Sequence, residues 1–410
     1  MSFFKKDGIK KANKEPISVD CIFACIYFMC LPFTVVTTSF GSLLKLVSMP
    51  IIAVLGVRML MGKSEISLNY VHFIYAVYII YTVSLLVVYN GGEAFVTTKD
   101  MILGLLTFIL ISMRVYNGRE RELMETAWLI VGFVCIYACL TSTEVVSEVE
   151  NRAVIRILGY EEDQNQFCAY LIMSTLICVK RLMERRKFYP VYAIVLGLSF
   201  YAILKTGSRG GLLGILLGVA AYAIIGIKSM KAKTAIAVTT VFLGFIIITF
   251  VVPMLPEDVA ERYTITSVQE TGGSGRTEIW KFLLDYSFQD PTRLIRGSGI
   301  FSTYDIMYGA GLKNGVAHNA FIQVLNDEGL IGLLLFVASI AVCIFRYIRR
   351  QPLFACAMIS ILGFAVSLSF YTFKPYLNIM MMCAMSFEGC MPEDRLKAER
   401  RKAKGEKTYA

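Results

Sequence analysis

Long apolar runs fix the solvent of this chain before anything fixes its fold. They fall at 17–36, 40–61, 70–89, 100–113, 126–142, 167–179, 189–204, 211–227, 234–252, 320–345, 353–371 and 375–388. A helix needs roughly 20 apolar residues to cross a bilayer core. Of the 410 residues 56% are apolar and 18% charged, a membrane composition. The expected fold is an all-α integral membrane protein of about 12 transmembrane helices, with a long extracytoplasmic loop between helices 9 and 10. The runs at 100–113, 167–179 and 375–388 are short for a full span.

Charge placement gives an independent orientation, because Lys and Arg collect in loops that stay cytoplasmic. With the N-terminus inside, the inner segments carry Lys5, Lys6, Lys10, Lys11 and Lys14, then Arg114, Arg119 and Arg121, then "KRLMERRK". Lys228, Lys231, Lys233, "FRYIRRQ" and the tail "DRLKAERRKAKGEK" follow on the same side. The net charge of +10 is therefore mainly a topology signal, not a sign of nucleic-acid binding. The basic tail also suits anionic membrane lipid, at about 1 kcal/mol per charge near the surface.

The expected organisation is a basic cytoplasmic N-terminus at 1–16 and helices 1–5 over 17–142. A core follows at 143–345, including the outer loop 253–319. The last two spans occupy 346–388, and a basic cytoplasmic tail 389–410. The first apolar run lacks a small-residue cleavage site and is followed by many more, so it reads as a first helix, not a removed signal peptide. The 11 cysteines lie almost wholly inside apolar runs, with no CxxC pair or His/Cys cluster. They read as small buried apolar residues.

Two outer segments interrupt the apolar pattern. One is 143–166; the other, 253–319, is far longer than a connection between packed spans needs, which marks it as functional or disordered. Its stretch "GRTEIWKFLLDYSF" repeats apolar residues at helical spacing (Ile279, Phe282, Leu283, Tyr286, with Trp280 beside them). That predicts an amphipathic helix lying on the bundle or the membrane. The stretch "GSGIFSTY" at 297–304 is turn-like.

Polar groups at membrane depth are candidate functional sites, since a buried charge costs about 2.5–3.5 kcal/mol on insertion scales. Arg209 stands in "LKTGSRGGLLG" with Lys205 one turn earlier, Arg276 opens the amphipathic segment, and Arg156 lies in "IRILGYEEDQNQF". The planar guanidinium fork pairs bidentately with phosphate, so an outer arginine cluster suits a diphosphate. Each charge also has a plainer reading. Arg209 snorkels or caps a helix end, Arg276 is a solvated loop charge, and Arg156 pairs with Glu161 or Glu162. The chain has two histidines: His318 in "GVAHNAFIQVLNDEGLIG" and His72 at the inner mouth of the third span, read as structural. Lys45 reads as a snorkelling charge and Glu328 as structural.

Taken in order, "TGSRGGLLG", "GSGRTEIW", "GSGIFSTY" and "AHNAFIQVLNDEGLIGLLLF" resemble the pattern of the O-antigen ligase and O-antigen polymerase family. These are bacterial multispanning glycosyltransferases. The resemblance covers roughly residues 150–345. "RILGYEEDQNQFCAYL" is similar to a family stretch with an Asp-Pro-Asn-like turn, and here Gln164 stands where the family has proline.

The resemblance implies transfer or polymerisation of glycan from an undecaprenyl-diphosphate carrier onto an acceptor hydroxyl. The reaction would lie at the outer face of the bacterial inner membrane, in surface polysaccharide and lipopolysaccharide biosynthesis. It implies neither cofactor nor metal. The partners it implies are the lipid-linked donor, a glycan or lipid-core acceptor, membrane lipid and other polysaccharide-assembly proteins. On matching positions it assigns His318 as the base, Arg209 and Arg276 to the diphosphate, and Arg156, Asn165, Lys205 and Asn319 to substrate binding. A lipid-linked oligosaccharide transporter is the rival reading. It would call for midplane charges, broken helices in paired halves, or inverted repeats.

Overall fold

The computed structural model describes residues 16–39, 41–62, 66–89, 91–142, 153–184, 188–226, parts of 229–263, 276–312, 315–349, 351–369 and 374–388. The first helices are α1 (Val19–Met29), α2 (Leu43–Leu60), α3 (Tyr70–Ser84), α4 (Gly92–Ser112) and α5 (Gly118–Thr141). A hairpin, β1 (Ile155–Ile157) with β2 (Tyr160–Glu162), leads into α6 (Gln164–Met183), α7 (Tyr189–Lys205) and α8 (Arg209–Ala221). Past a short turn at Glu257–Glu261 come α9 (Arg276–Phe288), α10 (Pro291–Arg296) and α11 (Ser302–Gly309). The chain finishes with α12 (Ala320–Tyr347), α13 (Pro352–Ala365) and α14 (Lys374–Ala384).

Among the described residues seven helices are long and apolar enough to cross a membrane, and α1, α7 and α13 are shorter apolar helices. The segment expected at 234–252 lies mainly outside the described residues. Two runs that looked short belong to longer helices, α4 and α6, of 21 and 20 residues. The apolar runs were cut short at charges that the fold pairs inside the bundle. Lys45 of α2 meets Asp100 of α4 at 2.7 Å, and Lys180 of α6 meets Glu125 of α5 at 2.6 Å.

Helix α6 is the hub, with 67% of its span buried against 22% for α2. It packs on α5, α7, α8 and α13. Asp163 starts it by accepting from the Asn165 and Gln166 amides, and Lys180 and Arg181 finish it with charge suited to the C-terminal dipole. Gln164 is the first helical residue, the position where proline is favoured, and it reaches back to the Ala153 carbonyl at 3.2 Å.

Helices α8 and α13 cross with little between them. Gly210, Gly214 and Gly218 recur every four residues on α8 and face Ser367, Phe364 and Ser360 across the contact. Ser360 also donates to the Gly214 carbonyl at 2.6 Å. Such small-residue stripes let helix backbones approach closely in lipid.

The expected unbroken span at 320–345 is in fact two helices. Gly329 takes φ 67 and ψ −169 inside α12, dividing it into 320–328 and 330–347. The chain itself satisfies the carbonyls stranded at the break. The Ser298 and Gly299 amides donate to the Asn326 and Asp327 oxygens at 2.9 Å, and the Tyr81 hydroxyl donates to that of Glu328 at 2.9 Å. The turn-like stretch read at 297–304 therefore divides in two: 297–299 is the docking turn, and α11 begins at Ser302.

The half-helix 320–328 buries Gln323, Asn326, Asp327 and Glu328, so it is packed in protein and not in lipid. Asp327 accepts from the Ser302 hydroxyl and from the Thr303 amide and hydroxyl, and Glu328 from Tyr78 and Thr82. Glu328 is thus tied into the fold. So is His72, which closes a capping box with Asn69 at the start of α3 and contacts the Ser112 hydroxyl at 3.0 Å.

Candidate functional site

Chain direction brings the candidate residues to one end of the bundle. Helix α8 runs antiparallel to α13, since Gly210 meets Ser367 while Gly218 meets Ser360 and Cys356. Helix α12 joins α13 through a short turn and packs against it, so α8 and α12 run the same way. Helix α9 runs alongside the half-helix 320–328 in that direction too: Trp280 reaches the Ala317 carbonyl and Ser287 reaches Asn326. Asn165, near the start of α6, accepts from Ser208, the N-cap of α8. Asn165 and Arg209 thus stand together at one pair of helix N-termini, and Arg276 and His318 lie at the starts of the neighbouring α9 and α12, toward the same end of the bundle.

That placement runs against ordinary helix electrostatics. A cation at a helix N-terminus opposes the macrodipole by about 0.3–1 kcal/mol. Arg209 and Arg276 are each the first residue of a 13-residue helix, and both are half-buried. Each guanidinium stands beside the first amides of its own helix, a setting compatible with an anion.

His318 is half-exposed and takes φ 49, a left-handed backbone that only a few per cent of non-glycine residues adopt. Its neighbours are fixed on both sides. The Trp280 indole donates to the Ala317 carbonyl at 2.8 Å, and the Ala317 amide donates to Gln323 at 3.3 Å. Asn319 caps α12 by accepting from the Phe321 and Ile322 amides.

A second group of contacts surrounds the end of α5. Lys205 is buried, with its ammonium on the Cys139 and Ser142 carbonyls at 3.0 and 3.4 Å. It closes the C-terminus of that helix, where a cation is favoured. Arg156 is exposed and pairs with Glu161 at 2.8 Å across the hairpin, the plainer reading of that residue. Its amide donates to the Ser142 hydroxyl at 2.9 Å, which docks the hairpin on α5.

The last residue of this hairpin is a carboxyl that the sequence offered only as a partner for Arg156. Glu162 is buried, accepting from the Tyr170 hydroxyl at 3.1 Å and the Asp163 amide at 3.0 Å. Burial pushes its carboxyl up to about 7, against the pull of those two hydrogen bonds. A carboxyl whose folded pKa exceeds its unfolded value keeps its proton in the fold. Its contribution to stability is therefore full below ~4.5, falls as pH rises to about 7, and is level above. The span is on the order of 3 kcal/mol. Glu162→Gln keeps the shape without the charge, and the Tyr170 hydroxyl can turn to accept from the new amide. The variant should match the native protein in thermal melting in detergent near pH 4.5 and exceed it at pH 8. A native pH slope in the variant would rule Glu162 out as the source.

Trp280, Gln323 and Ser208 were not singled out by sequence reasoning as site residues. Each acts through a backbone or side-chain contact that spacing alone does not show. The only available signal was the odd polar residue on an apolar helix, as at Gln323.

No curated protein matches the chain. Residues 193–337 match the family model described as O-antigen ligase, a stretch that holds Lys205, Arg209, Arg276, His318 and Asn319. The similarity is to that family's model over this region of the chain.

Proposed function

We propose that this protein is a glycosyltransferase of the bacterial inner membrane, with both termini cytoplasmic and its site on the outer face. It transfers or polymerises glycan from an undecaprenyl-diphosphate carrier onto an acceptor hydroxyl. The observation that supports this reading is the position of Arg209, Arg276 and His318 at the starts of three helices that begin toward the same end of the bundle.

In the proposed step the acceptor oxygen attacks the anomeric carbon while His318 takes the hydroxyl proton. The bond from that carbon to the phosphate oxygen breaks, and the diphosphate leaves with the electron pair. Arg209 and Arg276, with the helix amides beside them, hold the developing negative charge. The reading assigns this charge to arginine rather than to a metal ion. Asn319 fixes the loop that carries His318, and Asn165 orients Arg209 through Ser208. Arg156, at the hairpin rim, is assigned to the glycan. Lys205, occupied by the carbonyls at the end of α5, is assigned a structural part.

The transporter reading calls for a broken helix that lines a passage. The break in α12 is instead filled by the loop 297–299 and by Tyr81, which favours chemistry at the surface.

The test is transfer by purified protein from an undecaprenyl-diphosphate-linked oligosaccharide. Arg209→Ala and Arg276→Ala should each lower donor turnover about 100-fold. Arg209→Lys should recover only part, since a point charge lacks the bidentate fork. Unchanged donor kinetics in either alanine variant would remove that arginine from the phosphate site. In a deletion strain, single repeat units left on the carrier would identify a polymerase. Full-length polymer stranded there would identify a ligase.

A further inference from the structure

We propose that Trp280 and Gln323 are positioning residues of the transfer site, acting through His318. The inference rests on the reading of His318 as the base. A non-glycine residue holds a left-handed backbone only where its surroundings over-determine it. His318 does so at φ 49, and the residue before it is tied at both backbone groups.

The Trp280 indole holds the Ala317 carbonyl at 2.8 Å and Gln323 holds the Ala317 amide at 3.3 Å. Ala317 itself is fully buried, among Ile279, Leu283 and Met307. On the far side Asn319 fixes the first turn of α12. The ring of Tyr304 packs onto Gly315, leaving no space for a side chain there and closing the same loop from above.

The clamp also sets a relation between two reacting groups. Trp280 lies four residues after Arg276, on the same face of α9. One side chain therefore links the helix that opens with the diphosphate-binding arginine to the residue before the base. Gln323 lies one turn into the half-helix that Asn319 caps, so the second tie links the base to α12. Misplacing a reacting group by about 1 Å is enough to cost on the order of 100-fold in rate. Losing one of two ties should cost less, about tenfold.

The experiment is a double-mutant cycle on full-length protein, with rates normalised to folded molecules by thermal melting in detergent. Trp280→Phe keeps the ring and removes the indole N–H. In the native background it should lower turnover at saturating donor about tenfold and leave the donor KM unchanged. In the His318→Ala background it should cost nothing further, because a residue that acts through His318 has nothing left to position. Gln323→Met, which removes the acceptor and keeps the length, should behave the same way, and it covers the case in which Trp280→Phe does not fold. An equal loss in both backgrounds, or no loss in the native one, would overturn the positioning role while leaving the base intact. A native rate in His318→Ala alone would overturn the base and the clamp together.

Discussion

His318→Ala is expected to lower glycan transfer by about 100- to 10,000-fold, the usual worth of a positioned general base, while the protein still inserts and folds. The fold should survive because the ties around this residue run through the backbone of Ala317 and the side chain of Asn319, and the imidazole itself is half-exposed. Alanine in the left-handed region is no less strained than histidine, so the loop gains nothing by the exchange. The measurement is transfer from a labelled lipid-linked donor, alongside the amount of protein in the membrane and its melting temperature. Native turnover in His318→Ala would end the assignment.

Gly329→Val should be the most damaging single change to the fold, costing more than about 4 kcal/mol. Two independent costs coincide at this position. The backbone at φ 67 and ψ −169 lies in a region open essentially to glycine alone. An added Cβ would also collide with the Ile295 carbonyl and the Gly297 nitrogen, neither of which belongs to a flexible side chain. Relieving the clash would pull the loop 297–299 from the carbonyls of Asn326 and Asp327, and buried carbonyls without donors are costly. Gly311 is the control. Its φ is 74 but a Cβ there meets nothing within 4 Å, so Gly311→Ala should carry only the strain of its backbone, about 1 kcal/mol. Melting temperature and protease resistance of the outer loops would separate the two. A Gly329→Val protein as stable as the Gly311→Ala one would mean that the helix does not break as described.

The membrane character of the fold was legible because apolar runs of span length are a strong signal, and charge asymmetry adds an independent one. Span ends were less legible where an ion pair draws a charge into a helix, as Asp100 does by meeting Lys45. The break at Gly329 was hidden for a different reason. "NDEGLIGLLLF" continues an apolar pattern, and the partners that make a left-handed glycine affordable come from residues 30 positions earlier and from α3. That Arg209 and Arg276 open helices was legible from the apolar pattern that follows each. Their individual surroundings were not. Lys205 and Arg209 look alike in sequence, separated by one turn. One ammonium is spent closing α5, while the guanidinium opens α8. The clamp on His318 was out of reach altogether, since its two ties go to a backbone peptide.

The broken helix has a consequence for anyone who would treat the matched region as a transferable part. Residues 193–337 contain the break and the loop that fills it. Tyr78, Tyr81 and Thr82, which complete the polar shell of Glu328, come from α3, more than 100 residues upstream of that region. Asn165, which seats the cap of α8, lies outside it as well. A chimera that joined this stretch to the front half of a distant relative would bring a buried acid and an orphaned carbonyl with no guarantee of hydroxyls to meet them. Recombination between such proteins is therefore constrained by three side chains on one early helix. The halves that exchange freely should be those that carry the same hydroxyls at those positions.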